Sequence, residues 1–407
     1  MSGKNRRVAA RVDAVQPFRV VEMLERAKAL QAAGRDIVHM EAGEPDFVTA
    51  EPIVEAAVDA LRQGETHYSG ACGLWPLREA IARYYQTDYG VEVPPQRIMV
   101  TPGASGALLL IASLLVDRDD SVLMADPGYP CNRNFMRMFE GEGVLVPVTA
   151  ADNFQLTDKL VASHWRESGA GKTVAALVAS PANPTGAVID KPDLAALLAA
   201  VERRGGHLLV DEIYHGLDFE REGGGRLSTV LELTDNAFVI NSFSKYFGMT
   251  GWRLGWLVAP QWACPALERL AQNIFISMST MAQHAALQCF QPEVRATLDA
   301  RRDEFQRRRN FLLPALQEMG FIIPQQPAGG LYIYADISHF LPQFGRDSRE
   351  FCLAMLEQHD LAITPGSDFG RHLADRYVRF AFTTSMERLQ VAVERLRAVF
   401  FTANKDG

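Results

Sequence analysis

Residues 238–258 read Phe-Val-Ile-Asn-Ser-Phe-Ser-Lys-Tyr-Phe-Gly-Met-Thr-Gly-Trp-Arg-Leu-Gly-Trp-Leu-Val. Two short apolar runs, Phe238–Asn241 and Leu254–Val258, bracket a segment that carries Ser242, Ser244, Lys245 and Arg253. Apolar runs of this length without alternation are the mark of strands covered on both faces. Five more occur upstream, at Ile98–Thr101, Val122–Ala125, Val144–Pro147, Val174–Ala179 and His207–Asp211. Helical patterns such as Ser105–Leu115 and Leu194–Arg203 separate some of them. The alternation predicts an α/β domain around a mostly parallel, seven-stranded sheet.

The ends of these runs hold the chemistry. Gly103 and Ser105 follow the first; Ser180 and Asn183 follow the run at 174–179; Asp211 closes the next; Ser242, Ser244 and Lys245 follow Phe238–Asn241. Ligands of open parallel sheets bind outside the carboxyl ends of strands, so four strands are expected to deliver polar groups to one edge. Downstream, a long helical pattern from about Pro292 to Met319 and strand-like segments at Gly330–Asp336 and Arg376–Phe382 predict a smaller α+β domain. The expected division is 1–45 for an N-terminal arm and part of the small domain, 46–290 for the large domain and 291–407 for the rest of the small one.

Composition narrows the function. With 41 basic against 49 acidic residues the chain carries a net charge of −8, which gives no general attraction to nucleic acid or anionic lipid. The short run Lys4, Arg6, Arg7, Arg11 and the cluster Arg301, Arg302, Arg307, Arg308, Arg309 among Asp303 and Glu304 read as solvated faces. No apolar run is long enough to span a membrane, and none stands behind the first basic residues as in a signal peptide. Cysteines 72, 131, 264, 289 and 352 form no C-x-x-C pair; free thiols and a cytoplasmic location are expected.

Each candidate has an ordinary reading beside a functional one. A partly desolvated amine at a strand end favours its neutral, nucleophilic form, which suits Lys245 to carbonyl chemistry; a lysine near serines is otherwise a surface lysine. Ser242, Ser244 and the fork of Arg253 suit a phosphate dianion. Asp211, ending His-Leu-Leu-Val-Asp, needs a partner for a buried carboxylate. That partner is a heterocyclic N–H⁺, a metal, a helix end or an ion pair. Ser-Pro-Ala-Asn-Pro-Thr-Gly at 180–186 either aims the Asn183 amide or is a plain loop. Thr-Pro-Gly-Ala-Ser-Gly-Ala at 101–107 opens a helix, where free N–H groups make an anion site around Gly103, Ala104 and Ser105. In Tyr377-Val378-Arg379-Phe380-Ala381-Phe382, alternation puts Arg379 opposite Val378, Phe380 and Phe382. A lone arginine there implies a buried anion, either a ligand or a structural partner.

Taken together, Ala-Gly-Glu-Pro-Asp-Phe at 42–47, Thr-His-Tyr-Ser-Gly at 66–70, the 101–107 turn, Asp-Pro-Gly-Tyr-Pro at 126–130, the 180–186 loop, Asp-Glu-Ile-Tyr at 211–214 and the 242–255 block resemble the class I/II aminotransferases of pyridoxal-phosphate (PLP) fold type I, the aspartate-aminotransferase-like superfamily. The resemblance covers nearly the whole chain. It implies PLP held on Lys245 as a Schiff base, with Lys245 also carrying the proton at the substrate α-carbon. Asp211 would pair with the pyridine nitrogen, and Tyr214 and Asn183 with the phenolic oxygen. Gly103, Ala104, Ser105, Ser242, Ser244 and Arg253 would hold the phosphate, and Tyr129 would stack on the ring. Tyr68 would reach the phosphate of a neighbouring subunit, making a homodimer with shared active sites. Arg379 would clamp the substrate α-carboxylate, with Asn183, Gly43 and Phe18 beside the substrate.

The implied partners are an amino acid and a 2-oxo acid. Dicarboxylate-specific relatives often carry an arginine in the stretch corresponding to 272–281, which here reads Gln-Asn-Ile-Phe-Ile-Ser-Met-Ser-Thr-Met. The absence of a basic residue points to a neutral donor, with Phe18, Tyr129 and part of 274–278 lining its pocket. The alternatives are an aspartate-specific aminotransferase, a PLP-dependent lyase or decarboxylase, and a PLP-binding regulator fused to a DNA reader. Against the last stand the acidic charge and the absence of a helix-turn-helix segment before the fold.

Overall fold

The computed structural model describes residues 8–13, 15, 19–219 and 227–401. Phe18, Lys4, Arg6 and Arg7 lie outside the described residues. Twelve strands among the described residues are, in chain order, β1 (Val38–His39), β2 (Ile98–Thr101), β3 (Ser121–Asp126), β4 (Glu142–Pro147), β5 (Thr173–Ala179), β6 (His207–Asp211), β7 (Phe238–Ser242), β8 (Gly255–Val258), β9 (Tyr332–Asp336), β10 (Leu361–Ala362), β11 (Thr364–Pro365) and β12 (Tyr377–Ala381). Strands β2 to β8 are the seven anticipated from sequence, with ends shifted by one residue at most except at β4, which begins two residues earlier, at Glu142.

They form one sheet in the order β2-β8-β7-β6-β5-β3-β4. Only β8 runs against the others, pairing antiparallel with both β2 and β7. Apolar side chains fill both faces. Phe238 and Ile240 of β7, with Ala175 and Leu177 of β5, belong to one core cluster. Val239, Ala176 and Val178, their neighbours in sequence, belong to the other. That two-sided burial is the physical origin of the unbroken apolar runs. The helix Gly103–Leu115 covers the first face with Ala107, Leu108, Leu110 and Ile111. Burying each larger side chain of this kind contributes about 1.5–3 kcal/mol.

A separate three-stranded sheet, β11-β12-β9, is antiparallel, and β1 pairs in parallel with β10, joining the N-terminal stretch to the C-terminal one. The helix Pro292–Glu318 links the large sheet to this smaller α+β unit. One expectation fails along this helix. Arg308 and Arg309 are 4% and 6% exposed and do not belong to a solvated face. Arg308 pairs with Glu304 at 2.9 Å and Asp46 at 2.8 Å, over the rings of Phe47 and Phe305. Arg309 donates to the Pro327 carbonyl at 2.8 Å and lies over Phe219. Asp46 and Phe47 from the N-terminal part cover Arg308, and Phe219 and Pro327 cover Arg309, so both guanidinium groups find partners inside the fold. The five cysteines are free thiols. No helix among the described residues is long and apolar enough to cross a membrane.

Candidate active site

A cavity of about 490 Å³ opens at the carboxyl edge of the large sheet. Its lining includes Gly43, Ala104, Ser105, Tyr129, Asn183, Asp211, Tyr214, Ser242, Ser244, Lys245, Arg253 and Arg379. Twelve of the fifteen residues singled out from sequence therefore meet in one place. Of the other three, Phe18 is outside the described residues, Gly103 lies just behind the lining, and Tyr68 is 82% exposed on the surface. None of residues 274–278 reaches the cavity of its own chain; Ile274 and Ile276 are exposed and Met278 is buried.

Sheet direction assembles one corner. Strands β2 and β7 end at this edge, while the reversed β8 begins there, so Arg253, two residues before it, arrives beside Ser242 and Gly103. Gly255 permits the close approach: a Cβ there would sit 2.8 Å from both the Asn241 oxygen and the Gly103 carbonyl carbon. Gly103 has φ +71°, and a Cβ on it would stand 2.8 Å from an Arg253 guanidinium nitrogen. Arg253 itself is left-handed, φ 54° and ψ 52°, and its Nη1 donates to the Thr250 carbonyl at 2.9 Å. A non-glycine residue held in that region is a cost that functional sites commonly retain. The helix starting at Gly103 has no side-chain cap, leaving its first N–H groups for a ligand. Ser242 Oγ and Ser244 Oγ, 2.9 Å apart, complete a cradle suited to a dianion.

Across the cavity stands Asp211, 6% exposed, whose Oδ1 accepts only the Ile213 N–H at 3.0 Å among the hydrogen bonds of the described residues. Burial pushes its pKa up to about 6, against the pull of the Ile213 N–H and of Lys245. A buried carboxylate in that condition lacks a cation. Between cradle and carboxylate, Lys245 Nζ donates to the Gly43 carbonyl at 2.6 Å. Tyr332 Oη donates to the same carbonyl at 3.4 Å and lies 2.8 Å from Tyr214 Oη. Burial, with Tyr332 adding to it, keeps the Tyr214 phenol protonated well beyond its ordinary range.

Arg379 forms the far wall. Its guanidinium lies between the rings of Tyr332, 4.1 Å away, and Phe369, 4.6 Å away. Nη1 donates to Asn183 Oδ1 at 2.9 Å; Nη2 donates to the Glu41 carbonyl at 2.7 Å and to Thr364 Oγ1 at 3.4 Å. No carboxylate among the described residues makes a salt bridge with it, and its buried Nε has no partner. The structural ion pair considered from sequence is absent there, and the group remains available to an incoming anion.

Sequence reading missed Tyr332, Phe369, Asp368 and Glu44. Tyr332 stands in the Gly-Gly-Leu-Tyr-Ile-Tyr alternation, and Phe369 and Asp368 in Pro-Gly-Ser-Asp-Phe-Gly, a glycine-bounded turn just after a strand. Asp368 is 5% exposed and accepts the Arg19 N–H at 2.8 Å. It thereby holds the start of the helix Arg19–Ala32, whose Val20 and Val21 roof the cavity.

These residues fit PLP on the structure's own terms. The Gly103–Arg253 cradle suits its phosphate, the Asp211 carboxylate, which lacks a paired cation, its pyridine nitrogen, and the Lys245 amine its aldehyde. Comparison with known proteins points the same way. The family described as aminotransferase class I and II matches residues 35–396. A valine–pyruvate aminotransferase of Mycobacterium tuberculosis is 36% identical over 390 residues, 96% of this chain and 97% of its own. An aspartate aminotransferase of Thermotoga maritima is 32% identical over 389 residues, 96% of this chain and 98% of its own. The crystal structure of an aminotransferase from Mycobacterium tuberculosis superposes with a TM-score of 0.91 at 36% identity, over 98% of this chain and 100% of that one.

Proposed function

The chain belongs to the class I and II aminotransferases and is a PLP-dependent transaminase; within that family we propose that it takes its amino group from an L-amino acid with a neutral side chain and passes it to a 2-oxo acid. The observation that carries this reading is the charge inventory of the cavity. Its lining holds three cations among the described residues, Lys245, Arg253 and Arg379. The first serves the coenzyme aldehyde, the second its phosphate and the third the substrate α-carboxylate, so none is left for a distal carboxylate. Phe369 lies against Arg379, and Val20, Val21 and the carboxylate of Asp368 line the same cavity. An acidic side chain there would meet like charge and lose its water without a partner.

When bound, PLP supplies an electron sink for the negative charge that develops at the substrate α-carbon. The protein does the rest. Arg379, stacked between two rings, fixes the α-carboxylate. Asp211 keeps the pyridine nitrogen cationic, Tyr214 and Asn183 direct hydrogen bonds toward the phenolic oxygen, and Tyr129 covers the ring. Lys245 Nζ takes the proton from the α-carbon. In this reading residues 46–290 form the coenzyme domain, and 1–45 with 291–407 supply the smaller one.

Steady-state kinetics with alanine, valine, phenylalanine, aspartate and glutamate test the donor assignment. A neutral donor is expected to exceed aspartate in kcat/KM by about tenfold or more, since 1.4 kcal/mol is worth a factor of ten and the desolvation penalty exceeds it. Arg379→Ala should raise KM for every donor by roughly ten- to a hundredfold, the loss of charge-assisted hydrogen bonds. Aspartate emerging as the best donor would overturn the proposal.

The same reading makes the active unit a homodimer. Tyr68, Ile274 and Ile276 expose apolar surface that their own chain does not use. In this reading Tyr68 would serve the cradle of a second copy. Mixing inactive Tyr68→Ala and Lys245→Ala chains under exchanging conditions should then restore part of the activity, because one site in each mixed dimer carries neither lesion. A fully active monomer in sedimentation would exclude it.

A further inference from the structure

A second cleft, of about 450 Å³, opens beside the edge strand β4 and shares no lining residue with the active cavity. Arg133, Arg137, Arg166, Arg371 and His372 surround it. The four guanidinium groups come from three separate stretches of the chain, and none of them forms an ion pair or hydrogen bond among the described residues. Of the two carboxylates present, Asp126 is already engaged, accepting the Arg371 N–H at 3.0 Å and the His372 N–H at 3.1 Å. Glu142 lies exposed at the rim without pairing to any of the four. Arg133 is only partly exposed, and its burial together with the nearby Arg371 guanidinium drives its pKa down against the opposing pull of Asp126 and Asp368. Gathering unpaired like charges on a chain with a net charge of −8 is unfavourable unless something anionic joins them.

We propose that this cleft binds a small polyanion, an organic phosphate or a polycarboxylate, held by Arg133, Arg137, Arg166 and Arg371. Guanidinium forks match the planar or tetrahedral oxygens of either group in a bidentate manner. The volume falls in the range of metabolite pockets, roughly 300–1,000 Å³. A face of solvated arginines would spread its charges outward; here they line one hollow, with Arg133 and Arg137 only partly exposed.

Titration calorimetry on the PLP-loaded enzyme tests this, because the coenzyme's own phosphate then fills the active-site cradle. Pyrophosphate and citrate are the two probes, at low ionic strength. The expected result is saturable binding of one molecule per chain with Kd below about 1 mM. Binding should weaken about tenfold or more in the double variant Arg133→Gln, Arg371→Gln, as loss of charge-assisted hydrogen bonds implies. Arg166→Gln, at an exposed position, and Arg137→Gln, at a partly exposed one, give the same comparison one side chain at a time, and the coenzyme absorbance reports that the fold is intact. Binding must also survive Arg379→Ala, which separates the cleft from the substrate site. Heat with pyrophosphate alone identifies a phosphoryl ligand, and heat with citrate alone a polycarboxylate. No saturable binding of either probe, equal binding by the arginine variants, or binding that disappears with Arg379 would overturn the proposal.

Discussion

Lys245→Ala should leave a folded protein with almost no transaminase activity. Proton transfer by a positioned side chain is worth roughly 10²–10⁴-fold, and this substitution also removes the amine that anchors the coenzyme. The loss in kcat is therefore expected at or beyond the upper end of that range. Little stability should go with it. Among the described residues the amine makes one hydrogen bond, to the Gly43 carbonyl, which keeps the Tyr332 hydroxyl as a partner at 3.4 Å. A single hydrogen bond contributes about 0.5–1.5 kcal/mol net. Near-native unfolding temperature with collapsed turnover is the signature that separates chemistry from structure. Partial rescue by a small primary amine would place the missing function in the amine itself. Borohydride reduction of the wild-type holoenzyme and peptide mapping should find the pyridoxyl label on Lys245; label on another lysine would remove the assignment.

Why Lys245 was readable in the sequence while some of its neighbours were not follows from the kind of signal each leaves. A strand buried on both faces writes an unbroken apolar run, so β5 to β7 and the polar residues at their ends could be placed from local pattern alone. Arg253 was noticed for its chemistry, but its position depends on β8 running against the sheet, a property of pairing that no local pattern encodes. Tyr332 reaches Gly43 and Tyr214 across 289 and 118 residues of chain. Its alternating pattern suggested a strand covered on one face, whereas all five residues of β9 are buried, and no local pattern says what Tyr332 would touch. Arg379 shows both limits. Alternation assigned its side of β12, yet the contacts that hold it, to Glu41, Thr364 and Asn183, come from three distant segments. Arg308 and Arg309 were misjudged for the related reason that charge among opposite charges looks the same in sequence whether water or a neighbouring segment covers it.

Asp211→Asn is expected to do two opposite things, and the pair is more diagnostic than either alone. In the holoenzyme it should cut kcat on the order of 10²–10³-fold, the usual consequence of removing one preorganised electrostatic group, since a neutral amide cannot keep the pyridine nitrogen cationic. In the coenzyme-free protein it should stabilise. Asp211 has its pKa raised by burial from 3.8 to about 6, so between those values the folded state binds more protons than the unfolded state. Stability then falls as pH rises through that window, and the full cost stands above it. A shift of about two units corresponds to roughly 3 kcal/mol, an order-of-magnitude figure for a wholly buried group. The amide cannot ionise and escapes this cost. Thermal unfolding of the apoproteins should therefore show the variant a few degrees more stable at pH 7–8, with the gap closing toward pH 4. Glu212, whose pKa burial raises to about 8, titrates in both proteins; the Asp211 charge adds to its upward push, so losing that charge in the variant acts in the same stabilising direction. In wild type, binding of PLP should recover the same energy, because the pyridinium supplies the cation that Asp211 lacks. The stabilisation on adding coenzyme should accordingly be larger for wild type than for the variant at pH 7.5. A variant with near-normal kcat, or apoproteins whose stabilities track each other across pH 4–8, would mean that the carboxylate facing the coenzyme nitrogen is not Asp211.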